Sequence, residues 1–190
     1  MIEGGKGGAN TNANGLPFEQ CVLRGHMSGK TYLIGDKPFI FLKQGDFVKH
    51  MTDLKDPYWD HGKRPDGAYV SHDRKTIIII EVKHQKVAGT ADEKIRAGPC
   101  LIDEYKVLYP SVKHVHLMFI VNEFFAKKKY EIAIKFNEKH GIPVFFAKQT
   151  DVSKMYVNTT LRKIFTFNKV YTVDEDAIND WMTERSLQSC

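Results

Sequence analysis

The sequence predicts an α/β fold in which a mixed central sheet is flanked by helices. Three observations lead there. Residues Thr76-Ile77-Ile78-Ile79-Ile80 form a β-branched run of strand length, of the kind buried in a sheet interior. Apolar segments of strand length alternate with longer helical patterns in the order helix, three strands, helix, strand, helix, strand. The composition is 42% hydrophobic and 27% charged over 190 residues, enough for one domain with its own core.

The elements follow in chain order. Residues 1–15 are rich in Gly and Asn and read as a flexible arm; residues 16–190 read as a single domain. A first helix is expected over 16–27, with Pro17 in its first turn and Leu16, Val22, Leu23 and Met27 as its apolar stripe. Glu19 precedes Val22 and Leu23 by three and four residues and shares their face. Taken alone, it reads as a solvated edge of that stripe. Residues 32–42, interrupted by Gly35 and Pro38, read as one bent strand or two short ones, and 48–61 as a loop with a helical turn. Strands are expected over 65–70 and 76–83, joined by a polar turn. A helix over 90–108 carries a break signal at Gly98-Pro99, with Thr90 and Glu93 as a capping box. A strand over 112–121, a helix over 126–140 ended by Gly141, and a strand over 143–147 complete the core. The tail reads as an extended region around 154–172 and a last helix from about residue 174.

The strand pair 65–70 and 76–83 concentrates the chemistry. If His72 to Lys75 form a four-residue hairpin loop, Ser71 faces Thr76 and the same register sets Asp66 opposite Glu81. Opposed residues of an antiparallel pair share a face, with Cβ atoms ~5 Å apart. Lys83, two residues past Glu81, points the same way. Two carboxylates that close repel unless a cation neutralises them, and oxygen donors of this kind suit Mg²⁺. A one-residue slip would separate them, and a solvated Glu81–Lys83 pair is the simpler alternative.

Pro65-Asp66 and Glu81-Val82-Lys83 resemble the signature of the PD-(D/E)XK nucleases. The order of elements over 16–147 is similar to that superfamily's αβββαβ core, Glu19 matches its acidic position on the first helix, and Gln85 resembles the extended ExKxQ form. Small size and the Gly-rich lead into Phe18-Glu19 look most like type II restriction endonucleases. The resemblance implies metal-assisted phosphodiester hydrolysis. Asp66, Glu81 and the Val82 carbonyl would hold Mg²⁺, and Glu19 a second ion or its water shell. Lys83 would orient or help deprotonate the attacking water, and Gln85 would position Lys83 or a phosphate oxygen. It implies a site-specific endonuclease acting on double-stranded DNA as a homodimer. A structure-specific repair or recombination nuclease and an inactive DNA-binding module are the alternatives.

The net charge of +5 and pI of about 9.0 suit a polyanionic partner. Lys86 and Lys94 follow the active strand and are candidate phosphate contacts; Asn158 and Arg162, in a polar segment, are candidate base readers. Three scattered cysteines, Cys21, Cys100 and Cys190, suggest neither a disulfide framework nor a zinc ribbon and fit an intracellular, cytoplasmic setting. No apolar run is long enough to cross a bilayer. Gly25-His26-Met27-Ser28-Gly29-Lys30-Thr31 is one residue short of a P-loop and lies between a helix and a strand, the reverse of that motif's context, so no nucleotide cofactor is expected. His114 and His116 alternate on one strand without a third ligand nearby, and Lys127, Lys128 and Lys129 read as a solvated face.

Overall fold

The computed structural model describes residues 18–20, 22–23, 26–34, 37–86 and 91–147. The predicted arm, Pro17, the Thr90 cap, the tail elements, Asn158 and Arg162 lie outside the described residues. The sheet is six-stranded, in the spatial order β1-β2-β3-β4-β5-β6, which is also the chain order. Its strands are β1 (Thr31–Ile34), β2 (Lys37–Leu42), β3 (Gly67–Ser71), β4 (Thr76–Lys83), β5 (His114–Asn122) and β6 (Val144–Ala147). The first four form an antiparallel meander; β5 and β6 then join β4 in parallel. The α/β class with a mixed, helix-flanked sheet is therefore as expected.

After a first helical stretch that includes Phe18, Glu19, Gln20 and Val22, the helices are α1 (Gln44–His50), α2 (Ala91–Arg96), α3 (Gly98–Leu108) and α4 (Glu131–Lys139). One face of the sheet carries Ala68, Val70, Ile77, Ile79, Leu117 and Phe119 against Phe47, Met51, Ile95, Tyr105, Leu108 and Ala133 of the helical layer. The other carries Phe39, Phe41, Tyr69, Ile78, Ile80, Met118 and Ile120, joined by Phe18, Val22 and Leu23. Because alternate isoleucines of β4 point to opposite faces, the unbroken run feeds both clusters.

Several boundaries differ from the sequence expectation. The first helix ends before the expected residue 27: Phe18, Glu19, Gln20 and Val22 are helical, and the chain turns at Leu23, whose N–H donates to Glu19 O at 2.9 Å. Met27 is half exposed, and the buried side chain near it is His26, ringed by Tyr32, Phe41 and Tyr69. Residues 32–42 resolve into a hairpin, so four strands rather than three precede the parallel part. The loop expected at 48–61 is preceded by helix α1, because Phe47 and Met51 recur at i, i+4 and both are fully buried. The helix over 90–108 breaks at Ala97, one residue before the anticipated Gly98-Pro99. At Gly98 a Cβ would stand 2.0 Å from Asn137 Oδ1, so the two helices approach too closely for any side chain there. The helix expected from residue 126 starts at Glu131, preceded by 3-10 turns Glu123–Ala126 and Lys128–Tyr130 that bury Phe124, Phe125 and Tyr130. Gly141 ends α4 with φ +73°, as a glycine C-cap should.

Candidate active site

The β3–β4 hairpin has the register derived from its loop length. Gly67 pairs with Ile80 and Val70 with Ile77, so the same alignment carries Asp66 to Glu81. Ser71 shapes the turn: its hydroxyl accepts from Thr76 N–H (3.0 Å) and donates to Asp73 (2.6 Å), and Arg74 takes φ +54°. Glu81 and Lys83 continue the Ile77–Ile79 side of β4 and emerge on the face covered by α3.

Asp66 sits in a bend just before β3. The Pro65 carbonyl accepts from Gln44 N–H (3.0 Å), and the Asp66 carboxylate takes over as acceptor for Val82 N–H at 2.7 Å. Gly67 follows directly, where a Cβ would meet the Phe41 ring at 2.9 Å; only glycine lets that ring pack under the bend. The carboxylate is thereby fixed by the backbone of the opposing strand.

Lys83 Nζ lies 2.5 Å from Glu81 Oε2, 3.1 Å from Asp66 Oδ2 and 3.1 Å from the Val82 carbonyl. Three oxygens of the sequence-predicted metal set thus converge on one positive centre. The side chains of Asp66, Glu81 and Lys83 are only 19%, 14% and 15% exposed, so little water screens them. Burial pushes the Glu81 carboxyl up and Asp66 adds to the shift, against the lowering pull of Lys83. Burial opposes the Lys83 charge as well, but Glu81 and Asp66 together outweigh it and hold the ammonium above its usual value. Hard oxygen donors carrying two negative charges fit a divalent ion such as Mg²⁺. Among the described residues no group of three or more His, Cys, Asp or Glu side chains is placed to hold a metal, so the fit rests on the two carboxylates and the carbonyl.

Glu19 comes from the opposite layer to the end of the sheet. Its Oε1 accepts from Gln44 Nε2 at 3.3 Å. Burial raises its pKa, the Asp66 charge raises it further, and Lys83, Gln44 and Lys43 pull it down. It therefore feels the site electrically without joining the oxygen trio. Gln85 makes no hydrogen bond to Lys83 Nζ. Its backbone is clamped by Asn122, which accepts from Gln85 N–H (3.1 Å) and donates to Gln85 O (2.8 Å). Its own Oε1 is buried without a hydrogen-bond partner, and Lys83 Nζ is engaged by other oxygens. His61 is exposed. The His84 ring lies 5.1 Å from Phe18, and burial, then Lys86, lowers its pKa.

A cleft of about 300 Å³ opens on this cluster, lined by Lys63, Arg64, Glu81, Lys83, Lys94 and Tyr105 among others. Lys94 lines this cleft; Lys86 is exposed beyond the end of β4 and is not part of that lining. Lys63, Arg64, Tyr105, Gln44 and Asn122 escaped sequence reasoning. The only signal for Lys63 and Arg64 was their place just before Pro65-Asp66. Gln44, with φ +37°, and Asn122 act through tertiary hydrogen bonds that no local pattern announces. No protein-family model, curated protein or solved structure matches the chain.

Proposed function

We propose that the protein is a Mg²⁺-dependent endonuclease that hydrolyses phosphodiester bonds of double-stranded DNA at specific sites, acting as a homodimer in the cytoplasm. The observation that carries the reading is the convergence of Asp66 Oδ2, Glu81 Oε2 and Val82 O on Lys83 Nζ beside a cleft rich in cations. Site specificity and the dimer rest on the resemblance to type II restriction endonucleases.

Asp66, Glu81 and the Val82 carbonyl would hold the ion, which supplies Lewis-acid polarisation of the phosphate and acidifies a water. Glu19 would add negative charge at the sheet end and help hold a hydrated ion. Lys63, Arg64 and Lys94 draw the phosphate backbone into the cleft. Lys83, held between the two carboxylates, would orient or help deprotonate the attacking water and offset charge growing on the phosphate. Asn122 keeps the backbone after β4 in line, which fixes where Lys83 stands.

The test is incubation of purified protein with long duplex DNA and Mg²⁺ or EDTA, followed by sequencing of the ends. Discrete fragments sharing one motif are expected, together with a loss of at least ~10²–10³-fold in Asp66→Asn, Glu81→Gln and Lys83→Ala. Undiminished Mg²⁺-dependent cutting by purified Lys83→Ala refutes the assignment. Cutting confined to branched DNA replaces site specificity with shape recognition.

A further inference from the structure

The loop between the 3-10 turn Thr52–Leu54 and Pro65 holds two aromatic rings out to solvent. Tyr58 is 81% exposed and Trp59 43%, and their ring centroids are 5.1 Å apart, edge to face. The turn that carries them is built, not slack. Asp56 N–H donates to Leu108 O (2.9 Å), Asp56 Oδ1 accepts from Tyr58 N–H (2.8 Å), and Trp59 N–H donates to Asp56 O (3.1 Å). Lys55 Nζ reaches the carbonyls of Asp56 (3.2 Å) and Trp59. Further along, Gly62 lies so near Val48 and Tyr109 that a Cβ would stand 3.0 and 3.3 Å from them, and Lys63 pairs with Glu104.

The loop is therefore tied to α3 at Leu108 and again at Glu104, one helical turn or about 6 Å away. Tyr58 and Trp59 stand between the ties. The Glu104 end opens into the cleft, where Lys63 and Arg64 line the wall with Glu81 and Lys83. One short segment thus carries exposed rings, then two cations, then the first carboxylate of the site.

We infer that Tyr58 and Trp59 form a stacking platform for a nucleobase of the strand whose phosphate enters the cleft, so that among double-stranded substrates a duplex with an unpaired or unstacked base beside the cleavage point is favoured. The inference rests on the nuclease reading and specifies its substrate. Aromatic rings accept the face of any base, while the cations beside them complement phosphate and not an apolar protein surface. An intact duplex would first have to unstack a step, which costs a few kcal/mol. The four residues from Trp59 to Lys63 span at most ~14 Å, which bounds the platform to within about four nucleotides of the cleft at 3.4 Å per nucleotide.

The full chain with Trp181→Phe leaves Trp59 as its sole tryptophan, and Asp66→Asn prevents cutting. A short duplex carrying one unpaired base and the fully paired duplex of the same flanking sequence are titrated against this protein while its emission is followed. The duplex with the unpaired base is expected to quench Trp59 and bind tighter than the fully paired one. By filter binding, Trp59→Ala should weaken binding of the duplex with the unpaired base roughly 5- to 150-fold, whereas Trp59→Phe should keep it within about threefold. Binding with unchanged emission and no loss in Trp59→Ala overturns the platform and leaves the nuclease reading intact. No binding of either DNA, with no cleavage by the unaltered protein, overturns both.

Discussion

Lys83→Met isolates the electrostatics of the candidate site. The substitution keeps the apolar stem and removes the ammonium that Asp66 and Glu81 share. Their distances to Nζ, 3.1 and 2.5 Å, cap the separation of the two carboxylate oxygens at about 5.6 Å. At an effective dielectric constant near 20, two unit charges at that separation repel by about 3 kcal/mol. Burial of both groups below one-fifth exposure keeps water from erasing this. Recovering the desolvation cost of the ammonium trims the loss, so about 2–4 kcal/mol is expected in EDTA at pH 7. For a domain of this size that is a fall in Tm of roughly 4–16 °C. Two controls tie the loss to the carboxylates. Glu81 already titrates above its usual value because of burial and Asp66; without Lys83 it must rise further. A raised carboxyl pKa gives stability that is full below the unfolded value near 4.5 and is lost as pH climbs through the folded one. The deficit of the variant should therefore shrink towards pH 4.5 and widen towards pH 8. Millimolar Mg²⁺ should restore more stability to the variant than to the parent, because an ion bound only by the folded state stabilises it by mass action. Urea melts with and without Mg²⁺ across that pH range make the measurement. A variant within ~0.5 kcal/mol of the parent in EDTA, or a deficit independent of pH, refutes the shared-cation argument.

The clamp on Gln85 predicts that Asn122→Ala loses about 1–3 kcal/mol in urea melts, because a buried N–H and a buried C=O lose their partners together. Gly98→Ala should cost about 2–4 kcal/mol: Asn137 cannot give way, since its Nδ2 is pinned to Ile95 O (2.7 Å) and Ala133 O (2.9 Å). Arg64→Ala should lower the slope of log binding constant against log salt by about 1 without altering which DNA is preferred, as measured by filter binding. Glu19→Gln should raise the Mg²⁺ concentration needed for half-maximal cutting by roughly 10-fold, the effect of a group acting through the water shell.

The hairpin was legible because its signals are local. A polar four-residue turn set the register, strand alternation put Glu81 and Lys83 on one side, and Asp66 followed by arithmetic. Helix α1 was not, because it is short and buries one residue, Phe47, with Met51 just past its end, and its start at Gln44 takes a left-handed φ that no propensity favours. Residues 126–130 misled in the opposite sense: three lysines suggest a solvated helix, yet Phe124, Phe125 and Tyr130 pull the chain into 3-10 turns, and Lys127 Nζ settles 3.8 Å over the Phe124 ring.

The same distinction separates the parts of the site. Asp66, Glu81 and Lys83 come from one hairpin, so their meeting needs only register. Glu19 reaches the sheet end through Gln44, which in turn holds Pro65, the residue before Asp66. That chain of contacts links the acidic residue of the first helix to the first carboxylate without either touching the other. It also explains why Gln44 holds an unfavourable φ, which costs a non-glycine residue on the order of 1–2 kcal/mol. Its backbone N–H takes the Pro65 carbonyl out of the β3–β4 ladder, leaving Val82 N–H to the Asp66 carboxylate. The strain at Gln44 thus stands against two hydrogen bonds that set the position of Asp66, and under the proposed function that carboxylate would have to be fixed before any ion arrives.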